Sequence, residues 1–596
     1  MNKNKVNDHL LKQPFVVTVA RIIAMAFVTD PIYFIVNNLL AIINGASQGF
    51  ITYMTQKFFE SVSKAVSINQ ETKDVLIMGF VLSFTVIIIQ VFNGLNNFMG
   101  VSFFKKVTGY LNQQINVKSA KLSPVAYEDA ELLDDINKAS VGANSSLGLL
   151  FTTTTIFTYY APYFIFMFFY LYSMEPILSI SIFLVFIPVA LSQLVRSVLF
   201  YKIEDQVAPM RREYECYKTY IGSKETRILG AFGYFRGLCI NSLNLINKAT
   251  WKAEKRAGLI ELFMKVLTLM GYLGILYLLV ISLLRNKISV AAFAAVFGSI
   301  DNMFTTMDVV ISNHIANMTK QLGTINNFLR FLDLPERKGD SKSKNKEKSI
   351  CLEKVFFRYP HARVNALLDI SLNIKQGETI AIVGENGSGK STLVKVALGI
   401  YEPSKGKVEV GGLRTDETGM KSLFNNVSAV FQNYQRYKMT VAENIKISDM
   451  DSDCQKDLEP ITNDVGLKIN SEVFPDSYES ILSREFDGVE LSGGQWQRLA
   501  IARGLYRVHD CIVLDEPTAA IDPIEEANLY KKFAEISREK TAIVVTHRIG
   551  SAKIADRIVV MENGSIIEIG THKELMDKKG KYSEMFYAQA KWYVQK

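Results

Sequence analysis

Five stretches in the first half of this chain, residues 31–56, 75–104, 139–174, 176–195 and 266–284, contain no Asp, Glu, Lys or Arg. A bilayer core is crossed by about 20 mostly apolar residues in a helix, and each stretch is long enough. The run from 139 to 195 is too long for one crossing, and Glu175-Pro176 predicts a tight turn between the third and fourth spans. A sixth span is expected from Ile288, after Arg285-Asn286-Lys287. Over the whole chain 48% of residues are hydrophobic and 21% charged, yet the charge concentrates in the second half. A helical membrane part fused to a soluble part follows, and 596 residues exceed a single core.

The spacing of the spans is uneven. Long charged helical connections separate spans two and three (105–138) and spans four and five (196–265); the others are short. Lys and Arg fill the two long connections and the N-terminus, which places both on the cytoplasmic side. Arg285 and Lys287 lie outside, against the trend. An even number of spans returns the C-terminal half to the cytoplasm. Residues 1–30 are read as a cytoplasmic N-terminus with an interfacial helix from 14 to 29, residues 31–335 as the transmembrane domain, and 336–348 as a charged flexible linker. Residues 349–596 form the soluble domain. The net charge of +8 suits cytoplasmic loops facing anionic lipid, and no nucleic-acid partner is expected. Five scattered cysteines without a CxxC pair indicate neither disulfides nor a zinc site.

In the soluble half strand-like and helix-like runs alternate, as in an α/β domain. The apolar run 379–383 leads into Gly384-Glu385-Asn386-Gly387-Ser388-Gly389-Lys390-Ser391-Thr392 and then a helical stretch. This is GxxxxGK[ST] in its strand–loop–helix setting: backbone N–H groups wrap phosphate oxygens, Lys390 neutralises the β- and γ-phosphates, and Ser391 ligates Mg²⁺. ATP and Mg²⁺ are therefore the expected ligands. A second apolar run, 511–514, ends in Asp515 and Glu516. Asp515 is placed to hold Mg²⁺ through water, and Glu516 to polarise an attacking water as general base. Leu491-Ser492-Gly493-Gly494-Gln495 precedes another helical run, and Ser492 with the glycine N–H groups offers a second anion cradle.

With LSGGQ, the chain resembles the ATP-binding-cassette family, in which this motif closes over ATP held by a second subunit. The resemblance implies further roles. Tyr359 would stack on adenine, Gln432 would sense Mg²⁺ and water, Asp522 would link the two sites of a dimer, and His547 would contact the γ-phosphate. Each alone also reads as an ordinary surface aromatic, polar turn or strand-end histidine. Six spans ahead of one cassette look like a half-size exporter of the bacterial plasma membrane: a six-helix all-α transmembrane domain followed by an α/β P-loop ATPase domain. The likeness implies a homodimer, with short docking helices near 126–134 and 222–230.

Cargo is less constrained. The layout is similar to bacterial exporters of modified antimicrobial peptides; lipid or amphipathic drug export, and an ATP-gated regulator, are the alternatives. No cysteine-protease domain precedes the first span, so processing of a peptide cargo is expected elsewhere. Asp301 and Asp308 share one face of the sixth span. Asp301 either contacts cationic groups of cargo or is a helix-end acid in water or paired with Lys265. The aromatic and hydroxyl run from Thr152 to Phe164 either lines an amphipathic pocket or packs.

Overall fold

The computed structural model describes residues 14–68, 72–337, 339, 348–450, 456–516 and 523–594. Two compact units emerge: Met1–Ala120 with Asp134–Leu334, and Lys121–Leu133 with Pro335–Lys596.

The first unit is helical. Helix α1 (Phe15–Thr29) follows Pro14 at its N-cap. Helices α2 (Pro31–Ile68) and α3 (Lys73–Lys121) come next. The third crossing is α4 (Ala130–Thr155), a π-helical turn (Ile156–Tyr160) and α5 (Ala161–Met174). Glu175 then turns in extended conformation, and Pro176 opens α6 (Pro176–Val185). After Phe186 the chain restarts as α7 (Ile187–Ile221), with a proline in its first turn. That proline, Pro188, has no N–H for an uninterrupted ladder, so the fourth crossing is a broken helix. A short helix α8 (Lys224–Ile228), capped by Ser223, precedes α9 (Phe232–Leu284). Helix α10 (Val290–Asp308), a second π turn (Val309–Ile315) and α11 (Ala316–Leu332) complete the unit.

Among the described residues five helices are long and apolar enough to cross a membrane, and the apolar run Pro176–Ser192 is shorter. At 1.5 Å per residue the 53 residues of α9 extend roughly 80 Å, far beyond a bilayer core of about 30 Å. The excess is the charged connection read from the sequence. Ile32, Phe80, Phe98 and Leu284 are exposed, as lipid-facing side chains must be. The first π turn lies where α2 approaches without a side chain: a Cβ on Gly45 would come within 2.1 Å of the Tyr159 carbonyl oxygen. Tyr160 in that turn meets His314 in the second, hydroxyl to Nε2 at 3.3 Å.

The run from Thr152 to Phe164 divides between packing and exposure. Thr152, Thr153 and Tyr163 are buried, Thr154 and Thr158 bond to carbonyls one turn back, and Phe157 is exposed. Asp301 is exposed on the single chain, and Lys265 pairs with Glu261 at 3.4 Å.

The second unit holds two sheets. Strands β1 (Ile350–Phe357), β2 (Leu367–Ile374), β4 (Lys405–Val410) and β5 (Leu413–Arg414) form an antiparallel sheet in the order β2-β1-β4-β5. The other sheet contains β3 (Thr379–Gly384), β6 (Val427–Val430), β7 (Cys511–Asp515), β8 (Thr541–Val545), β9 (Arg557–Glu562) and β10 (Ser565–Gly570). Its order is β10-β9-β3-β8-β7-β6; β9, β3, β8, β7 and β6 run parallel, and β10 is antiparallel to β9. Every residue of β3, β7 and β8 is buried, as for a parallel sheet covered on both faces.

Segment Lys121–Leu133 belongs to this unit through specific bonds. Val125, in a 3₁₀ turn (Pro124–Glu128), packs on the β-sheet core. Glu128 accepts from the Tyr401 hydroxyl and from Lys395, which together hold its carboxyl below the usual carboxylate range. Asp129 meets His361 at 3.0 Å. Arg337 completes the attachment. Its N–H donates to the Lys121 carbonyl at 3.1 Å, and its guanidinium donates to the carbonyls of Gly399 (2.7 Å) and Thr415 (3.0 Å). The Arg337 side chain is only 3% exposed and lies 3.3 Å from Glu402.

Replacing Arg337 by Met keeps its backbone N–H but withdraws the guanidinium donors from the buried carbonyls of Gly399 and Thr415, so we expect a loss of about 2–4 kcal/mol. Thermal unfolding of the full chain in nanodiscs checks this: the transition of the second unit falls, and an unchanged transition counts against it.

Candidate nucleotide site

Parallel pairing fixes where the site lies. Strands β3, β7 and β8 are neighbours in register, with Ile382 opposite Val545 and Asp515 opposite Val545. Their C-terminal ends therefore deliver three loops to one edge, the usual place for ligands on such sheets. After β3 the chain turns through Gly384, Gly387 and Gly389, all with positive φ, into helix α12 (Lys390–Ala397). Gly389 has φ 101°, and a Cβ there would fall 2.8 Å from the Ala366 carbonyl oxygen. Only glycine fits both restraints.

Lys390 curls back into the loop, donating to the carbonyls of Gly384 (3.0 Å) and Glu385 (2.9 Å). Burial lowers its pKa from the ordinary lysine value, with Glu516 and Asp515 opposing that shift. The Ser391 hydroxyl donates to Asp515 at 3.0 Å. Burial raises the Asp515 carboxyl, against the Ser391 hydrogen bond. Among the described residues Ser388 Oγ is buried without a hydrogen-bond partner.

Glu516 occupies left-handed backbone at φ 47°, unusual for a residue with a Cβ, while its N–H still bonds the Val545 carbonyl at 3.0 Å. This turns the carboxylate out from β7 toward two partners. Gln432 donates to one oxygen at 2.8 Å, and His547 Nδ1 lies 3.6 Å from the other. The Tyr359 hydroxyl meets that of Thr392 at 3.0 Å, and its ring packs edge-on against Phe357 and Tyr401. Tyr359, Asn386, Gly387, Gly389, Lys390, Ser391, Thr392, Gln432, Glu516 and His547 line one cavity of about 480 Å³.

Ser492 to Gln495 do not reach this cavity. Ser492 caps helix α13 (Gly493–Tyr506): its hydroxyl accepts from Gln495 N–H, and the Gln495 side chain accepts from Ser492 N–H. The S-x-x-Q spacing of a capping box marks this helix start in the sequence. Ser492 and Gly493 are exposed on the single chain. Asp522 lies outside the described residues. The structural partners Glu128, Tyr401 and Arg337 went unread in the sequence, because no motif spacing joins residues so far apart.

An alanine at Gly389 forces a strained backbone against a carbonyl. We expect ATP affinity to fall about 10- to 100-fold, corresponding to 1–3 kcal/mol of strain. Calorimetric titration of the variant in nanodiscs measures it, and unaltered affinity contradicts it.

Residues 367–519 match the sequence profile described as ABC transporter. Over 533 residues the chain is 30% identical to the subtilin transport ATP-binding protein SpaT of Bacillus subtilis, covering 82% of this chain and 83% of that protein. It is 35% identical over 235 residues to the nisin transport ATP-binding protein NisT of Lactococcus lactis subsp. lactis, covering 39% of each. An ATP-dependent lipid A-core flippase of Pasteurella multocida is 30% identical over 53% of this chain and 54% of its own length. Among solved structures a bacterial Atm1-family ABC exporter with ATP bound has the same fold, with a TM-score of 0.78 over 94% of this chain and 98% of that one at 18% identity. The chain belongs to the ABC transporter family, as a membrane exporter whose cytoplasmic cassette couples ATP hydrolysis to transport.

Proposed function

We propose that two copies of this chain form a symmetric exporter, and that its cargo is an amphipathic, cationic peptide. The observation that carries the ATPase mechanism is the Glu516 carboxylate, held between Gln432 and His547 at the mouth of the Lys390 loop. The loop N–H groups and Lys390 bind the β- and γ-phosphates. Ser391 and Asp515, 3.0 Å apart, present the oxygen donors that suit a hard cation. Those two residues would hold Mg²⁺, which would supply charge neutralisation at the phosphate oxygens. Glu516 takes a proton from the attacking water, Gln432 fixes the carboxylate, and His547 faces the γ-phosphate. Tyr359 presents its ring to adenine.

Exposure and family resemblance support the dimer. Ser492, Gly493 and Gly494 lie at a helix start outside the cavity of their own chain, where a second copy would bring LSGGQ to the nucleotide as the family resemblance implies. The preference for peptide rests on the similarity to the subtilin transport protein over four-fifths of both chains. Lipid is the second reading, favoured by the similarity to the lipid A-core flippases. Exposed Asp301 on α10 is offered as a contact for cationic cargo.

Replacement of Glu516 by Gln is expected to retain ATP binding while lowering turnover about 100-fold or more; near-normal turnover removes Glu516 from the role of base. Cargo is tested by ATPase stimulation in nanodiscs. Cationic leader-bearing peptides should stimulate the wild type, and Asp301→Asn should weaken that response. Stimulation by lipids alone selects the second reading.

A further inference from the structure

The C-terminal helix α14 (Lys581–Val594) is absorbed by none of the roles above, yet it touches loops on both sides of the nucleotide cavity. Its start is fixed by Glu568, whose carboxylate accepts from the N–H groups of Lys581 (2.9 Å) and Tyr582 (3.1 Å). Tyr582 is fully buried and bonds His572 at 2.8 Å. From this anchored turn Lys581 reaches Glu385 of the phosphate loop at 2.9 Å. Two turns on, roughly 12 Å along the axis, Gln589 meets the loop after β8. Its amide N–H₂ donates to the His547 carbonyl, and its amide oxygen accepts from Ile549 N–H at 2.9 Å.

The two bonds clamp the main chain on either side of Arg548. The amide presents one donor and one acceptor to the free edge of that chain, as a neighbouring strand would. Ile549 itself is buried in a cluster with Tyr582, against which Met585 and Phe586 also pack. The His547 imidazole, by contrast, is 46% exposed, 3.6 Å from Glu516. Among the described residues its side chain has only that long approach to Glu516, so its position depends on the backbone that Gln589 holds.

We propose that Gln589 is a positioning residue for ATP hydrolysis: through the His547 backbone it sets the distance of the imidazole from the γ-phosphate. It does not line the nucleotide cavity, and the inference rests on the role given to His547 above. A displaced catalytic group costs rate rather than ground-state binding. Gln589→Met, similar in volume and without amide hydrogen bonding, is therefore expected to lower kcat roughly 10-fold and to leave KM for ATP within about 2-fold. Gln589→Glu retains the acceptor for Ile549 N–H and loses the donor to the His547 carbonyl, so its kcat should fall with that of the Met variant.

The test is steady-state ATPase of the full chain in nanodiscs, with Gln589→Met, Gln589→Glu, His547→Ala and the double variant Gln589→Met/His547→Ala. The expected pattern is a kcat loss in each single variant, and no further loss when Gln589→Met is added to His547→Ala. Wild-type kcat in either Gln589 variant overturns the proposal while leaving the role of His547 intact. Multiplicative losses in the double variant overturn it as well, because Gln589 then acts elsewhere. Full activity of His547→Ala removes the role of His547 itself, and the proposal with it.

Discussion

Parallel pairing of β3, β8 and β7 is the constraint on which the rest of the cassette depends. Parallel strands carry all their C-terminal ends to one edge, and the register sets Gly384, Asp515 and Val545 near one another there. The phosphate loop, the two acids and the histidine come from positions spread over some 160 residues, and backbone hydrogen bonds bring them together. The side chains only refine that arrangement. Glu516 is the instance: its left-handed φ turns the carboxylate out of the strand while its N–H keeps the ladder. A strained backbone at a reacting group persists where its surroundings over-determine it.

Much of this was legible in the sequence because its signals are local. The phosphate loop is nine consecutive residues, the acids follow an apolar run, and the spans are charge-free stretches. The Glu175-Pro176 turn was equally local, and so was the break at Phe186 in principle, since Pro188 stands two residues on. What stayed hidden depends on partners distant in the chain. Nothing about Arg337 marks it as buried until the carbonyls of Gly399 and Thr415 close on it. Glu128 reads as a surface acid until Tyr401 is beside it. Gln589 is an ordinary helical glutamine in the sequence, and only the fold brings it to the His547 loop.

The helical half shows a different limit of pattern reading. Apolar stretches fix how many helices there are, but not where each departs from regular geometry. The first π turn falls in such a stretch, at the close approach of Gly45 to Tyr159, and the second begins directly after Asp308. Such turns widen a helix by one residue and shift the face that follows. Phe157, inside the first turn, is exposed, and Tyr163, just beyond it, is buried.

The attachment of Lys121–Leu133 to the cassette has a consequence for how the molecule is made. This segment leaves the ribosome some two hundred residues before the strands that receive it. Closing so long a loop in a free chain costs about 5 kcal/mol, and slow closure leaves apolar strands open to aggregation. Membrane insertion removes most of that disadvantage, because helices already laid down across the bilayer replace a random coil by a short, ordered path. The later strands then have only to close on Val125, Glu128 and Asp129, with the Arg337 N–H meeting the Lys121 carbonyl at the start of the segment.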